Sequence, residues 1–181
     1  VLTGSVAMYF SGSAAFANGT AIDFGAPPIN QLPSGELPVT LSGIWYTDSV
    51  DAGRGYAVGF GNAGVGNSWF EIGHTAGTTY GRVGNLYSLG AGKATGKGRW
   101  VWQTISLEGV NFCHYADGDL QSSATFGNMN LHSFAGGGNS VMHVKIGGSN
   151  QLGGGYWSGS VASARVYRGV LSAAYVKTEY N

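Results

Sequence analysis

With 181 residues, the chain has the size of one domain and can bury about 70% of the surface its unfolded form exposes. Nine basic and nine acidic residues balance to zero net charge, with no block of either sign, so the footprint that selects nucleic acid or an anionic membrane is missing. A lone cysteine, Cys113, rules out an internal disulfide and a cysteine-built zinc cluster, and no apolar run approaches the ~20 residues that a spanning helix needs.

The chain carries 33 glycines and 23 aromatic residues. That combination argues for many short strands joined by glycine turns, since the aromatic side chains supply the buried area a disordered chain lacks. Val6 to Phe24 alternates apolar and small residues around turns at Ser11-Gly12 and Asn18-Gly19. Gly25 to Pro38 holds all four prolines and reads as a long surface connection.

Val39 to Tyr46 is the first strong strand, followed by a polar loop over Thr47 to Gly55. Tyr56–Phe60, Trp69–Gly73 and Thr78–Val83 continue the strand pattern, and the glycine- and lysine-bearing stretch Leu86 to Gly98 reads as an exposed loop. Arg99 to Leu107 (RWVWQTISL) has the strongest strand signal, with Trp100 and Trp102 sharing one face, expected to be the core. Phe112–Tyr115 and Leu120–Ser123 flank Asp117-Gly118, a two-residue hairpin turn. Val141–Ile146 and Val161–Tyr167 complete the sheets, and Ser172 is placed to cap a short helical turn through Tyr180. About a dozen strands and almost no helix predict an all-β, two-sheet antiparallel sandwich over residues 1–181, without repeats or a second domain; jelly-roll and immunoglobulin-like stacks compete, and the length, the lone Cys113 and the helical tail disfavour the second.

Six stretches, in order, resemble the laminin-G-like, concanavalin A-like lectin-glucanase jelly-roll superfamily. They are MYFSGSAAFANG, PVTLSGIWY, RWVWQTISLEG, FCHYADGDL, VKIGG and the closing SGSVASARVYRGVLSAAYV. The resemblance implies a concanavalin A-like fold for nearly the whole chain, but not one function, since lectins, adhesion modules, virion proteins and hydrolases share it. Members with an acidic opening turn often hold Ca²⁺ there; Phe10 to Ala15 carries no carboxylate.

Glycoside hydrolysis needs two carboxyl groups ~5–9.5 Å apart. Asp117 and Asp119 bracket a tight turn, where aspartate serves the backbone. Glu71 is grouped with Trp69 and His74, without a second carboxylate placed beside it, and Glu71 and His74 are expected on a solvated face. No catalytic residues are therefore assigned. Asp48 and Asp51 share a loop and could supply part of a Ca²⁺ shell; His74, His114, His132 and His143 are too scattered for a transition-metal set. No other cofactor is expected.

Sugar recognition needs flat rings for the apolar faces of pyranoses and neutral side chains for the hydroxyls. Trp69, Asn62, Asn67, Asn150, Gln151, Tyr156 and Trp157 offer both, and Trp157, after three glycines, is the residue expected to be exposed. Low charge with much Ser, Asn and Gly also suits a surface covered in an assembly. The expectation is a non-enzymatic binding or structural module. It would be a decoration, fibre or adhesion protein of a virion or extracellular surface, engaging a glycan or protein partner in an assembly that can include other copies of itself. A polysaccharide-acting enzyme and a Ca²⁺-dependent lectin are the alternatives. No signal peptide is visible at Val1.

Overall fold

The structure, a computed structural model, describes residues 6–8, 14–16, 22–23, 38–48, 54–61, 69–83, 87–89, 98–125, 143–148 and 157–180. Among the described residues thirteen strands and one helix lie in chain order, beginning with β1 Val6–Met8, β2 Ala14–Phe16, β3 Ile22–Asp23, β4 Val39–Thr47, β5 Arg54–Gly61, β6 Trp69–Thr75 and β7 Thr78–Val83. There follow β8 Tyr87–Leu89, β9 Trp100–Glu108, β10 Asn111–Ala116, β11 Asp119–Thr125, β12 His143–Ile146, β13 Gly159–Arg168 and α1 Ala173–Tyr180. The all-β reading and the closing helix hold. Leu86–Gly98, expected as a loop, contains β8, which pairs with β7.

One sheet has the order β1-β13-β4-β9-β10-β11, with β2 also on β13; the other runs β3-β12-β5-β6-β7-β8. Every pairing among these strands is antiparallel. Period-two alternation sends Val39, Leu41 and Trp45 of β4 and Val101, Ile105 and Leu107 of β9 inward, against Val58, Phe60, Phe70 and Ile72 of the facing sheet.

Hairpin chemistry matches the sequence where left-handed backbone is required. Asp117 (φ 50°) and Gly118 (φ 76°) turn β10 into β11, the conformation that Asp-Gly supplies. Asp117 also works as a brace: its Oδ1 accepts from the Trp102 backbone N–H at 3.1 Å, and its Oδ2 pairs with Arg99 at 2.8 Å.

Gly159 opens β13 at φ 146°. A Cβ there would run into the Tyr46 carbonyl and lie 2.9 Å from Thr47 Cα. Gly109, at φ 57°, has nothing within 4 Å of an added Cβ. Gly159→Ala should therefore cost about 3 kcal/mol or more, and Gly109→Ala about 1 kcal/mol for the left-handed backbone. Urea denaturation of both variants checks the difference; equal losses would mean that β4 yields freely.

The helix lies on the outer face of the first sheet. Ser172 Oγ accepts from the Tyr175 N–H at 3.1 Å, the expected cap. Val176 and Leu171 form a second apolar cluster with Tyr115 and Tyr167, and Cys113 packs against it. Leu171 thus seals the helix rather than the space between the sheets, whereas Val166 joins the main core.

Candidate functional site

The two tryptophan assignments that rested on exposure reverse. Trp157 is 0% exposed, with its ring edge-on to Trp45 at 5.0 Å and to His74 at 5.2 Å. Its backbone N–H donates to the Gly147 carbonyl, which draws the residue before β13 into the sandwich and spends its stacking surface on protein. Trp100 and Trp102, expected in the core, point outward: β9 turns Val101, Gln103 and Ile105 inward, leaving Trp100 46% exposed and Trp102 half-buried.

Trp69 is buried at the start of β6. Asn62, Asn67, Asn150, Gln151, Tyr156 and Asp51 lie outside the described residues. Asp48 is exposed at the end of β4, its backbone N–H bonded to the Ser158 carbonyl. Among the described residues no three His, Cys, Asp or Glu side chains gather to hold a metal.

On β6 the register separates the grouping Trp69, Glu71 and His74. Phe70, Ile72 and His74 face the core; Trp69 and Glu71 share the outer face of the second sheet with Arg82 and Tyr80 of β7 and Tyr56 of β5, since Glu71 pairs with Arg82 and Gly73 with Tyr80 and Tyr56. Glu71 is 0% exposed, not solvated, and His74 is also buried.

This outer face carries a concentrated polar-aromatic cluster. The Arg82 guanidinium lies 5.5 Å from the Trp69 ring centre and donates to the Tyr56 hydroxyl at 3.3 Å. Tyr56 and Tyr80 are tilted against each other at 6.1 Å. Burial first, and the nearby Glu71 carboxylate second, push the Tyr56 phenol up to about 12, so Tyr56 keeps its proton and can donate it in a hydrogen bond. The Trp69 indole N–H has no acceptor among the described residues. Along β5 the residues facing this side beside Glu71 and Trp69 are Gly59 and Gly61, so the strand offers bare backbone between the β6 side chains and Lys145, which pairs with Gly59 from β12. Charges buried on a sheet's outer face are costly and cluster at functional sites.

The row through Glu71 runs Asp23, Lys145, Gly59, Glu71, Arg82 and Ser88 across six strands. In this register Asp23 stands three strands from Glu71, about 14 Å of backbone at normal strand spacing. All five side chains of the cluster are buried, none more than 8% exposed, so their ring faces and polar groups meet protein, as the ring of Trp157 does. Period two on β6 contained the signal for Trp69 with Glu71. Arg82 was also legible, as a lone cation in a neutral strand; Tyr56 and Tyr80 needed the pairing register.

Two antiparallel sheets, with this cluster on the outer side of one of them, define a two-sheet β-sandwich. No protein-family model matches the sequence, and no curated protein matches it. Among solved structures, it is similar to domain 4 of AbnA, a GH43 extracellular arabinanase from Geobacillus stearothermophilus, in complex with arabinotriose. The TM-score is 0.69 at 16% identity, covering 98% of this chain and 82% of that one. The CBM40 module of the Ruminococcus gnavus IT-sialidase, bound to α2,3-sialyllactose, gives 0.67 at 18% identity over 93% and 96% of the two chains. A NanB sialidase from Streptococcus pneumoniae gives 0.69 at 18% identity, and there the likeness spans 27% of the larger chain. At such identities the likeness is one of fold.

Proposed function

We propose that residues 1–181 form a non-catalytic glycan-binding module working at a virion or extracellular surface. The observation that carries the reading is the near end-to-end likeness, over 93% and 96% of the two chains, to a carbohydrate-binding module. Among the described residues no second carboxylate lies beside Glu71 in the strand register, which favours binding over turnover. A low-charge surface suits packing beside other copies or a larger partner.

Screening the chain on a glycan array, followed by calorimetry on each hit, tests the proposal. Arg82→Lys keeps the charge and loses the planar fork that lies over Trp69 and donates to Tyr56; at this buried position it should cost about 1–2 kcal/mol of stability in urea denaturation and leave the affinity for a glycan hit unchanged. Retention of no glycan at all would remove the binding reading. Polysaccharide cleavage that disappears in Glu71→Gln would replace it with an enzyme, and a melting temperature that EDTA lowers would bring in Ca²⁺.

A further inference from the structure

The first sheet turns aromatic rings to solvent on the side away from the Arg82 cluster. Trp100 of β9 is 46% exposed and leans on Tyr46 of β4 at 5.6 Å with the planes 50° apart. One step along the sheet, Trp102 stacks under Tyr180 of α1 at 6.1 Å and 21°, and Tyr180 is itself 46% exposed. The Trp102 indole N–H donates to Ser42 Oγ at 2.7 Å, which fixes that ring as the support on which Tyr180 lies. Four rings, Tyr46, Trp100, Trp102 and Tyr180, thus form a strip.

Ser160 of β13 pairs beside Tyr46 and is half-buried, adding a hydroxyl next to the ring. Among the described residues, three ion pairs near the strip are matched within the protein: Arg99 with Asp117 at 2.8 Å, Lys177 with Asp119 at 2.7 Å and Arg165 with Glu179 at 3.2 Å; the exposed Asp48 lies past the Tyr46 end. Paired ions leave the rings, rather than charge, as the main recognition element of the described surface. Anchored rings lose little entropy on binding, and a row of ring faces bordered by a hydroxyl suits the C–H faces and rim hydroxyls of uncharged pyranoses.

The geometry points to a binding surface on which the Tyr46–Trp100–Trp102–Tyr180 strip takes an uncharged linear oligosaccharide. This deepens the reading of the chain as a glycan binder by naming its face, on the opposite sheet from the buried Arg82 cluster. Titration of the chain with cellohexaose, xylohexaose and maltohexaose, followed by the indole N–H signals in two-dimensional NMR, tests it. At least one of the three should move the Trp100 signal. Trp100→Ala, at an exposed position, should weaken that binding by about tenfold and leave the melting temperature within a few degrees. Arg82→Lys should leave it unchanged. The inference is overturned if none of the three sugars at millimolar concentration moves the Trp100 signal. It is also overturned if Trp100→Ala turns a sedimenting oligomer into a monomer, because the strip would then be a contact between copies.

Discussion

Trp157→Ala is expected to lower the stability of the domain by about 3–5 kcal/mol, the usual cost of truncating a buried indole. The ring is fully buried and touches Trp45 and His74 edge-on, so its removal leaves a void lined by two rigid aromatics that cannot collapse into it. For a chain of this size the melting temperature should drop by roughly 10 °C. Trp157→Phe, which keeps most of the apolar volume, should lose less than half as much. Thermal unfolding by circular dichroism reads both. An unchanged melting temperature in the alanine variant would return Trp157 to the surface role its sequence context suggested.

Acid should weaken the protein through the buried His114. Trp45 Nε1, which can only donate, bonds Gln103 Oε1 at 3.0 Å. That fixes the Gln103 amide, whose Nε2 donates to the Tyr80 carbonyl at 2.9 Å and to His114 Nε2 at 3.0 Å. His114 Nε2 must then accept, so the ring is neutral with its proton on Nδ1. Burial lowers its pKa from 6.5 to about 4.

Above pH 6.5 the ring is neutral folded or unfolded, and its contribution is flat. As pH falls from 6.5 to 4 the unfolded chain takes up the proton and the folded one does not. Stability therefore drops by about 1.4 kcal/mol per pH unit, about 3 kcal/mol in all. His114→Gln has no proton to gain and should flatten that part of the curve. Urea titrations of both forms at pH 7, 5.5 and 4 measure the difference in slope. Identical slopes would show that His114 is charged in the folded state or does not contribute.

The architecture could be read from the sequence because alternation, turn chemistry and the cap each act locally. Val39–Thr47 and Trp100–Glu108 announced themselves by period two, Asp117-Gly118 by its left-handed backbone, and Ser172 by its hydroxyl ahead of a helix. Facing was less legible. On β9, aromatic and aliphatic residues alternate, and bulk alone suggested that the indoles went inside. A helix that follows β13 supplies Tyr180 as an outer cover for Trp102, while Gln103 goes inward because three partners meet its amide there. Neither partner set is local in sequence. The same is true of Arg82, Tyr56 and Tyr80, which come together through pairing of β5, β6 and β7. Trp157 misled for a third reason: glycines before a tryptophan resemble an exposed loop, yet the burial depends on Trp45, more than a hundred positions earlier.

The place of β13 has a consequence for the order in which the molecule can assemble. This strand is the neighbour of β1, β2 and β4 at once, and Thr40 Oγ1 both donates to the Gly169 carbonyl and accepts from the Leu171 N–H. Until residues near 168 have left the ribosome, β4 has β9 on one side and an open row of N–H and C=O groups on the other. The opening strands meanwhile have nothing to pair with. Such distant pairings are closed late and slowly, so a half-made chain would hold its second sheet and the β9–β11 meander while the first sheet waits for its centre. Synthesis that stalls before β13 should leave a species prone to pair with its own kind, and a peptide supplying β13 in trans should be able to fill the gap.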